Sequence, residues 1–167
     1  MKKTISILLL CLVTALATWG EDRIQVYVTD SDSYTNVRNA PKGDVVYRLE
    51  RGDGNEFMLE IDRCVDGWWH IVEDVIFSNE TMIDLTGSSN GYWIHSSVIG
   101  FAGMGEGYVT LREAPNSKAK IVSRRKDVIV HPLEIRGKWV RVRGRNTKRV
   151  GWMPAAEICA NPYTNCN

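Results

Sequence analysis

The chain carries one ordered set of three motifs twice, and this repeat constrains its fold more than any other feature. Each set has an Arg-x-Ala-Pro segment, then a tryptophan hairpin, then a Gly-aromatic closing strand. The first copy places them at 36–41, 68–71 and 91–98, and the second at 110–115, 139–142 and 151–158. Because the motif order is kept, the sequence predicts one supersecondary unit used twice. Any fold must explain both copies.

The N-terminus has the layout of a secretory signal peptide. Lys2 and Lys3 precede an apolar run at 5–13, and Ala15-Leu16-Ala17 forms a small-x-small cleavage signal. We therefore expect residues 1–17 to be removed, with a cut after Gly20 as a second possibility, and the mature protein to be periplasmic or secreted. No later segment approaches the ~20 apolar residues of a spanning helix, so no transmembrane segment is predicted.

The mature chain divides at a cluster of glycines. Four glycines fall within 100–107, which predicts a Gly-rich linker between a first domain at 21–99 and a second at 108–159. Residues 160–167 form a C-terminal tail. The first domain has about ten extra residues relative to the second, an insertion at about 73–90.

Both domains have the patterning of β-strands. Apolar and polar residues alternate at 23–28, 57–61 and 138–143, which is the period of a half-buried strand. Turn signals such as Asp66-Gly67 and Asn90-Gly91 separate these runs, and no window after residue 20 shows a helical period. The prediction is an all-β fold built from small barrels or sandwiches.

Four elements in order carry a family resemblance. They are NVRxxP, a Val-Val or Ile-Val strand, GWWxI, and GYWI. This set resembles the bacterial Src homology 3 (SH3b-type) domain, present as a tandem pair over roughly 24–99 and 107–159. The second copy departs from the pattern at Leu111 and Val140. The resemblance implies two small SH3-like barrels that bind a ligand through exposed aromatic side chains and do not catalyse.

Strand alternation separates inward from outward tryptophans. With Trp69 and Ile71 directed inward, Trp68 faces outward, and Trp139 faces outward beside Arg141 and Arg143. An alternative is that both outward rings pack against the linker or the other repeat. Trp93 and Met153 lie on the opposite parity and are predicted to be core. The predicted ligand-binding residues are Trp68, Trp139, Tyr34, Tyr92, Tyr108, Trp152, Arg141 and Arg143.

A near-neutral total charge hides two opposed halves. Residues 21–99 have 6 Lys or Arg against 15 Asp or Glu, a net charge of −9, and residues 100–167 have 13 against 5, a net charge of +8. One explanation is contact between the acidic and basic repeats. The other is an anionic partner for the basic repeat, such as cell-wall carboxylates or lipid phosphates. Nucleic acid is a poor partner for an exported protein.

Three cysteines remain after signal removal. Cys159 and Cys166 are predicted to form a disulfide, which an exported protein can maintain, and Cys64 is left over. The two pairings that involve Cys64 stay open. Cys64 is expected to point outward or to lie at a bulge.

The catalytic and metal alternatives are disfavoured. Cys64 with His70 or His95 would need a reactive thiol, and Cys64 falls in a predicted strand. The three histidines lack a ligand spacing, so neither a metal nor a cofactor is predicted. The expected function is a non-catalytic exported module that recognises peptidoglycan or a cell-envelope component. The alternative is a protein-interaction accessory, an inhibitor or immunity-type factor that binds an envelope or secreted protein.

Overall fold

The computed structural model describes residues 22–52, 56–78, 81–104, 107–126 and 128–161, and this part of the chain is all-β, as predicted. The predicted signal peptide lies outside the described residues. The strands of the first repeat are β1 (Ile24–Val28), β2 (Tyr34–Arg38), β3 (Val45–Glu50), β4 (Met58–Val65), β5 (Trp68–Phe77), β6 (Met82–Asp84), β7 (Trp93–His95) and β8 (Ile99–Gly100). Those that follow are β9 (Ala102–Gly103), β10 (Tyr108–Arg112), β11 (Ile121–Lys126), β12 (Val130–Arg136), β13 (Trp139–Gly144), β14 (Val150–Pro154) and β15 (Ile158–Cys159). Short 3-10 turns lie at Ser96–Val98 and Ala155–Glu157.

The strand order shows the internal repeat directly. The first sheet has the order β3-β2-β7-β5-β4-β1-β8, with β6 beside β5. The second has the order β11-β10-β14-β13-β12, which matches β3-β2-β7-β5-β4 strand for strand. The small sheet β15-β9 likewise matches the pairing of β8 with β1. Two copies of one topology therefore account for the repeated motifs.

The strand register corrects the sequence alignment of the two closing strands, β7 and β14. Arg38 lies opposite Trp93, and Arg112 lies opposite Trp152, so Trp93 is the counterpart of Trp152. The sequence match, which placed Tyr92 against Trp152, is displaced by one residue. A displacement of one residue moves a side chain to the other face of a strand, so Tyr92 and Trp152 lie on opposite faces.

The insertion at 73–90 forms a β-hairpin where it is described. Strand β5 continues to Phe77, and β6 returns along it with Ile83 opposite Ile76. Glu73 and Asp74 have φ angles of 57° and 56°, so the strand is kinked where the insertion begins. Ile76 and Leu85 are buried and fix the hairpin to the core of the first repeat.

The segment predicted as a linker is sheet as far as residue 103. Strand β8 pairs with β1, and β9 pairs with β15 of the second repeat. Between them the fully buried Phe101 exchanges two backbone hydrogen bonds with Val130, at 3.1 and 3.0 Å. A Cβ on Gly103 would lie 2.2 Å from the carbonyl oxygen of Tyr108, so close backbone approach explains this glycine.

Apolar packing and hydrogen bonds join the two repeats. The indole N–H of Trp69 donates to the carbonyl oxygen of Pro132 at 3.2 Å, and Nδ1 of His131 donates to the carbonyl oxygen of Ile99 at 2.7 Å. One hydrophobic core contains side chains from both repeats. The ion pairs of Arg23 with Glu60, Lys42 with Asp66 and Arg136 with Glu134 each lie within one repeat.

Candidate functional site

The outer side of each repeat presents aromatic and basic side chains in equivalent places. In the first repeat Arg38, Trp93 and His70 lie in one cross-strand row, and Trp68 lies opposite His95 in the next row. In the second repeat Arg112, Trp152 and Arg141 form the same row, and Trp139 lies opposite Pro154. Residues directly opposite in an antiparallel pair share a face. We call these outward residues, with Tyr34 and Tyr108 at the starts of β2 and β10, the aromatic–arginine face.

Guanidinium groups cover most of the rings on this face. The Cζ atoms of Arg48, Arg38 and Arg63 lie 4.8, 5.4 and 5.3 Å from the ring centroids of Tyr34, Trp68 and Trp93. In the second repeat Arg124 lies 4.4 Å from the Tyr108 ring and Arg136 lies 4.9 Å from the Trp152 ring. Each such contact adds a modest stabilisation at an exposed site, about 0.5–1 kcal/mol. The face is therefore a mixed cationic and aromatic surface.

Six of the eight predicted ligand-binding residues lie accessible on the outer side. Tyr34 is exposed, and Trp68, Tyr108 and Trp139 are half-buried. Arg141 and Arg143 are exposed on β13. Trp69, by contrast, is fully buried, which confirms the predicted parity of the Trp-Trp pair.

Two predicted residues do not line an open groove. Tyr92 is 1% exposed and belongs to the core, where its hydroxyl oxygen accepts a hydrogen bond from the backbone N–H of Ser88 at 3.0 Å. Trp152 is on the outer face but only 7% exposed, because Arg136 lies over its ring. Trp93, predicted to be core, is equally buried but lies on the outer face under Arg63.

The repeated motif arginine has a structural role that the sequence analysis missed. Arg38 Nη1 donates to the carbonyl oxygen of Gly43 at 2.6 Å, and Arg112 Nη1 donates to that of Ala119 at 2.9 Å. Both bonds close the loop after the motif strand. The recurrence of arginine at the third motif position was the available signal.

A partly buried histidine–carboxylate pair lies at the edge of the face in the first repeat. His70 Nδ1 lies 2.9 Å from Asp62 Oδ1, and the His70 ring meets the Trp93 ring edge-on at 5.3 Å. The second repeat has Arg141 and Glu134 in this place, 3.8 Å apart. The side-chain pair at this position is therefore histidine with aspartate in the first repeat and arginine with glutamate in the second.

Cys64 is a poor nucleophile in this fold. A register shift between Ile61 and Cys64 places it opposite Trp69, where it packs against the core. Burial raises the pKa of its thiol above the ordinary value, which favours the unreactive protonated form. Cys166 lies outside the described residues, so its bridge with Cys159 stays a prediction.

The described ranges contain neither a metal-binding cluster nor a helix that could span a membrane. No group of three or more His, Cys, Asp or Glu side chains between residues 22 and 161, outside the gaps, is arranged to hold a metal ion. In the same part of the chain no helix has the length and apolarity needed to cross a membrane.

Comparison with known proteins gives weak likenesses only. No family model matches the chain, and no curated protein does. Two solved structures from Trichomonas vaginalis align with it. NlpC1 has a TM-score of 0.32 and 11% identity, with 87% of this chain and 48% of that chain covered. NlpC2 has a TM-score of 0.32 and 10% identity, with 84% and 49% covered. The chain spans about half the length of these proteins, and TM-scores this low support no functional conclusion.

Proposed function

We propose that the chain is an exported, non-catalytic binding module that recognises peptidoglycan or another cell-envelope component through the aromatic–arginine face. The observation that carries the proposal is the equivalence of Trp68 and Trp139. Both lie one row from the motif arginine and both keep part of the ring accessible. Core packing does not require a large aromatic ring at an outward position, so its presence in both copies favours a role in binding.

The chemistry of the face suits a polymer that combines rings and carboxylates. Indole rings offer a flat apolar surface to sugar rings or aliphatic stems. Arg141 and Arg143 are exposed beside Trp139, and guanidinium groups pair with carboxylates in a two-bond geometry. In the described part of the chain no guanidinium lies over the Trp139 ring, whereas Arg38 lies over the Trp68 ring. The second repeat is therefore proposed to make the stronger contact.

Retention on purified sacculi tests this proposal. Trp68→Ala together with Trp139→Ala is expected to lower the retained fraction about tenfold or more, as loss of central aromatic anchors does. The matched control is Phe77→Ala with Met82→Ala, two exposed apolar residues paired on the insertion hairpin. Equal retention of the tryptophan variant and the wild type contradicts the proposal.

One observation favours the second candidate, a protein-interaction accessory of the inhibitor or immunity type. Strand β3 is the end strand of its sheet, and its consecutive residues Val45, Val46 and Tyr47 are all exposed. An apolar edge strand of this kind can accept a strand from a partner protein. Cross-linking in envelope extracts tests it: a defined complex should be lost with Val46→Lys and kept with Met82→Lys. Loss in both variants, or in neither, contradicts this candidate.

A further inference from the structure

The second repeat contains a cleft of about 540 Å³ that arises from a difference between the two copies. In the first repeat, Leu49 lies opposite Thr35 and Tyr47 lies opposite Val37. At the same register positions the second repeat has Arg125 opposite Val109 and Ser123 opposite Leu111. Leu49 is 2% exposed and belongs to the core, whereas Arg125 is exposed. An inward position that holds leucine in one copy therefore holds arginine in the other.

The cleft has an apolar floor and a basic rim. Val109, Leu111 and Val130, all buried, form part of its floor. Arg125, Arg145 and Arg149 contribute to its lining together with the hydroxyl side chains of Ser123 and Thr147. The volume is in the range of small-molecule sites, roughly 300–1,000 Å³.

The turn between β13 and β14 holds two of the arginines in place. The backbone N–H of Arg145 donates to the carbonyl oxygen of Ile129 at 2.9 Å. Arg149 reaches across to β11, where its Nη1 donates to the carbonyl oxygen of Val122 at 3.1 Å. Arg149 therefore connects the turn to the strand that carries Arg125, and the basic groups border one opening.

The described lining of the cleft carries positive charge only. Among the described residues that line it, three are arginines, Arg125, Arg145 and Arg149, and none is an aspartate or a glutamate. Like charges around one opening repel each other, and a bound anion removes that repulsion.

We infer that this cleft binds a small phosphate monoester whose ester group is apolar or carries a ring. Guanidinium groups match the oxygens of a phosphate in paired hydrogen bonds, and a phosphate dianion balances three cations better than a single carboxylate does. The apolar floor accommodates the ester group. A soluble organophosphate and a lipid headgroup share this chemistry. The inference does not depend on the aromatic–arginine face, because Val109 and Arg125 lie on the inward side of β10 and β11.

Calorimetric titration of the purified protein with phenyl phosphate tests the inference. Saturable binding is expected, and it should be tighter than binding of benzoate. Arg125→Leu, which installs the residue type of the first repeat, should weaken binding about tenfold or more. The matched control is Arg124→Leu, because Arg124 lies on the other side of the same strand, over the Tyr108 ring. It should change the affinity less than about twofold.

Three results would overturn the inference. The first is equal weakening by the two variants, since it would mean that binding follows net charge alone. The second is the absence of saturable binding both to phenyl phosphate and to phosphatidylcholine vesicles that contain phosphatidic acid. The third is benzoate binding as tight as that of phenyl phosphate, which would rule out a preference for phosphate. Thermal unfolding confirms that Arg125→Leu is folded, and Arg125→Gln repeats the test with a polar replacement.

The vesicle arm identifies the source of the phosphate. Vesicle binding that requires phosphatidic acid and Arg125 supports a lipid headgroup. Binding of phenyl phosphate without a preference for those vesicles supports a soluble organophosphate. Failure of the sacculus experiment leaves both results unaffected, because the Trp68 and Trp139 variants do not alter the cleft.

Discussion

The contribution of the contact between the repeats to stability can be measured at the hydrogen bond from Trp69 to Pro132. The Trp69 ring is fully buried in the first repeat, and its N–H donates at 3.2 Å to a carbonyl oxygen of the second. Trp69→Phe keeps an aromatic ring in the core and removes the donor. The acceptor then remains in a buried region without this partner.

The expected loss of stability has two sources. A buried carbonyl deprived of its donor destabilises a protein by about 1–3 kcal/mol. Replacing indole by the smaller phenyl ring leaves a small cavity, which adds about 1 kcal/mol. The sum predicts a decrease in the free energy of unfolding of about 2–4 kcal/mol. The contact between the repeats should weaken together with the core of the first.

Urea denaturation followed by far-ultraviolet circular dichroism measures this change. Trp68→Phe is the matched control, because it makes the same chemical change at the next residue, on the outer side of β5. It should lower the free energy of unfolding by less than about 1 kcal/mol. Equal effects of the two variants, or a loss below about 0.5 kcal/mol for Trp69→Phe, would refute the reasoning.

Two further outcomes follow from the structure. Gly103→Ala should destabilise the protein by about 2 kcal/mol or more in the same assay, because its Cβ would meet a backbone oxygen at 2.2 Å; a change within 0.5 kcal/mol contradicts the close approach. Burial holds the pKa of His95 below its ordinary value, so the unfolded chain takes up this proton at a higher pH than the folded protein does. The free energy of unfolding should therefore fall as pH decreases below about 6.5, and His95→Gln should reduce that fall; an unchanged slope in urea titrations at several pH values contradicts it.

Much of the fold follows from local patterns in the sequence. The period-2 alternation predicted an all-β chain, and it separated buried Trp69 from half-buried Trp68. The repeat of motifs predicted one topology used twice, which the matching strand orders confirm. The alternation predicts side-chain direction because successive residues of a strand point to opposite faces of the sheet.

The candidate site was less predictable. Tyr92 and Trp152 were assigned to grooves from an alignment displaced by one residue, and the register across β2 and β7 corrects it. The matching Val-Val and Ile-Val strands align Arg125 with Leu49, but only the structure shows that Leu49 is buried while Arg125 is exposed beside a cleft. Each of these placements depends on which residue lies opposite on another strand.

The sequence by itself determined the all-β class, the duplicated unit and the opposed charges of its halves. Only the tertiary structure decided that Phe101 joins the repeats as buried sheet, that guanidinium groups cover most outer rings, and that a basic cleft replaces part of the second core. The physical reason is that strand pairing, bulges and close backbone approach arise between residues far apart in the chain. Local alternation indicates which way a side chain points, but it does not identify the residues that the side chain contacts.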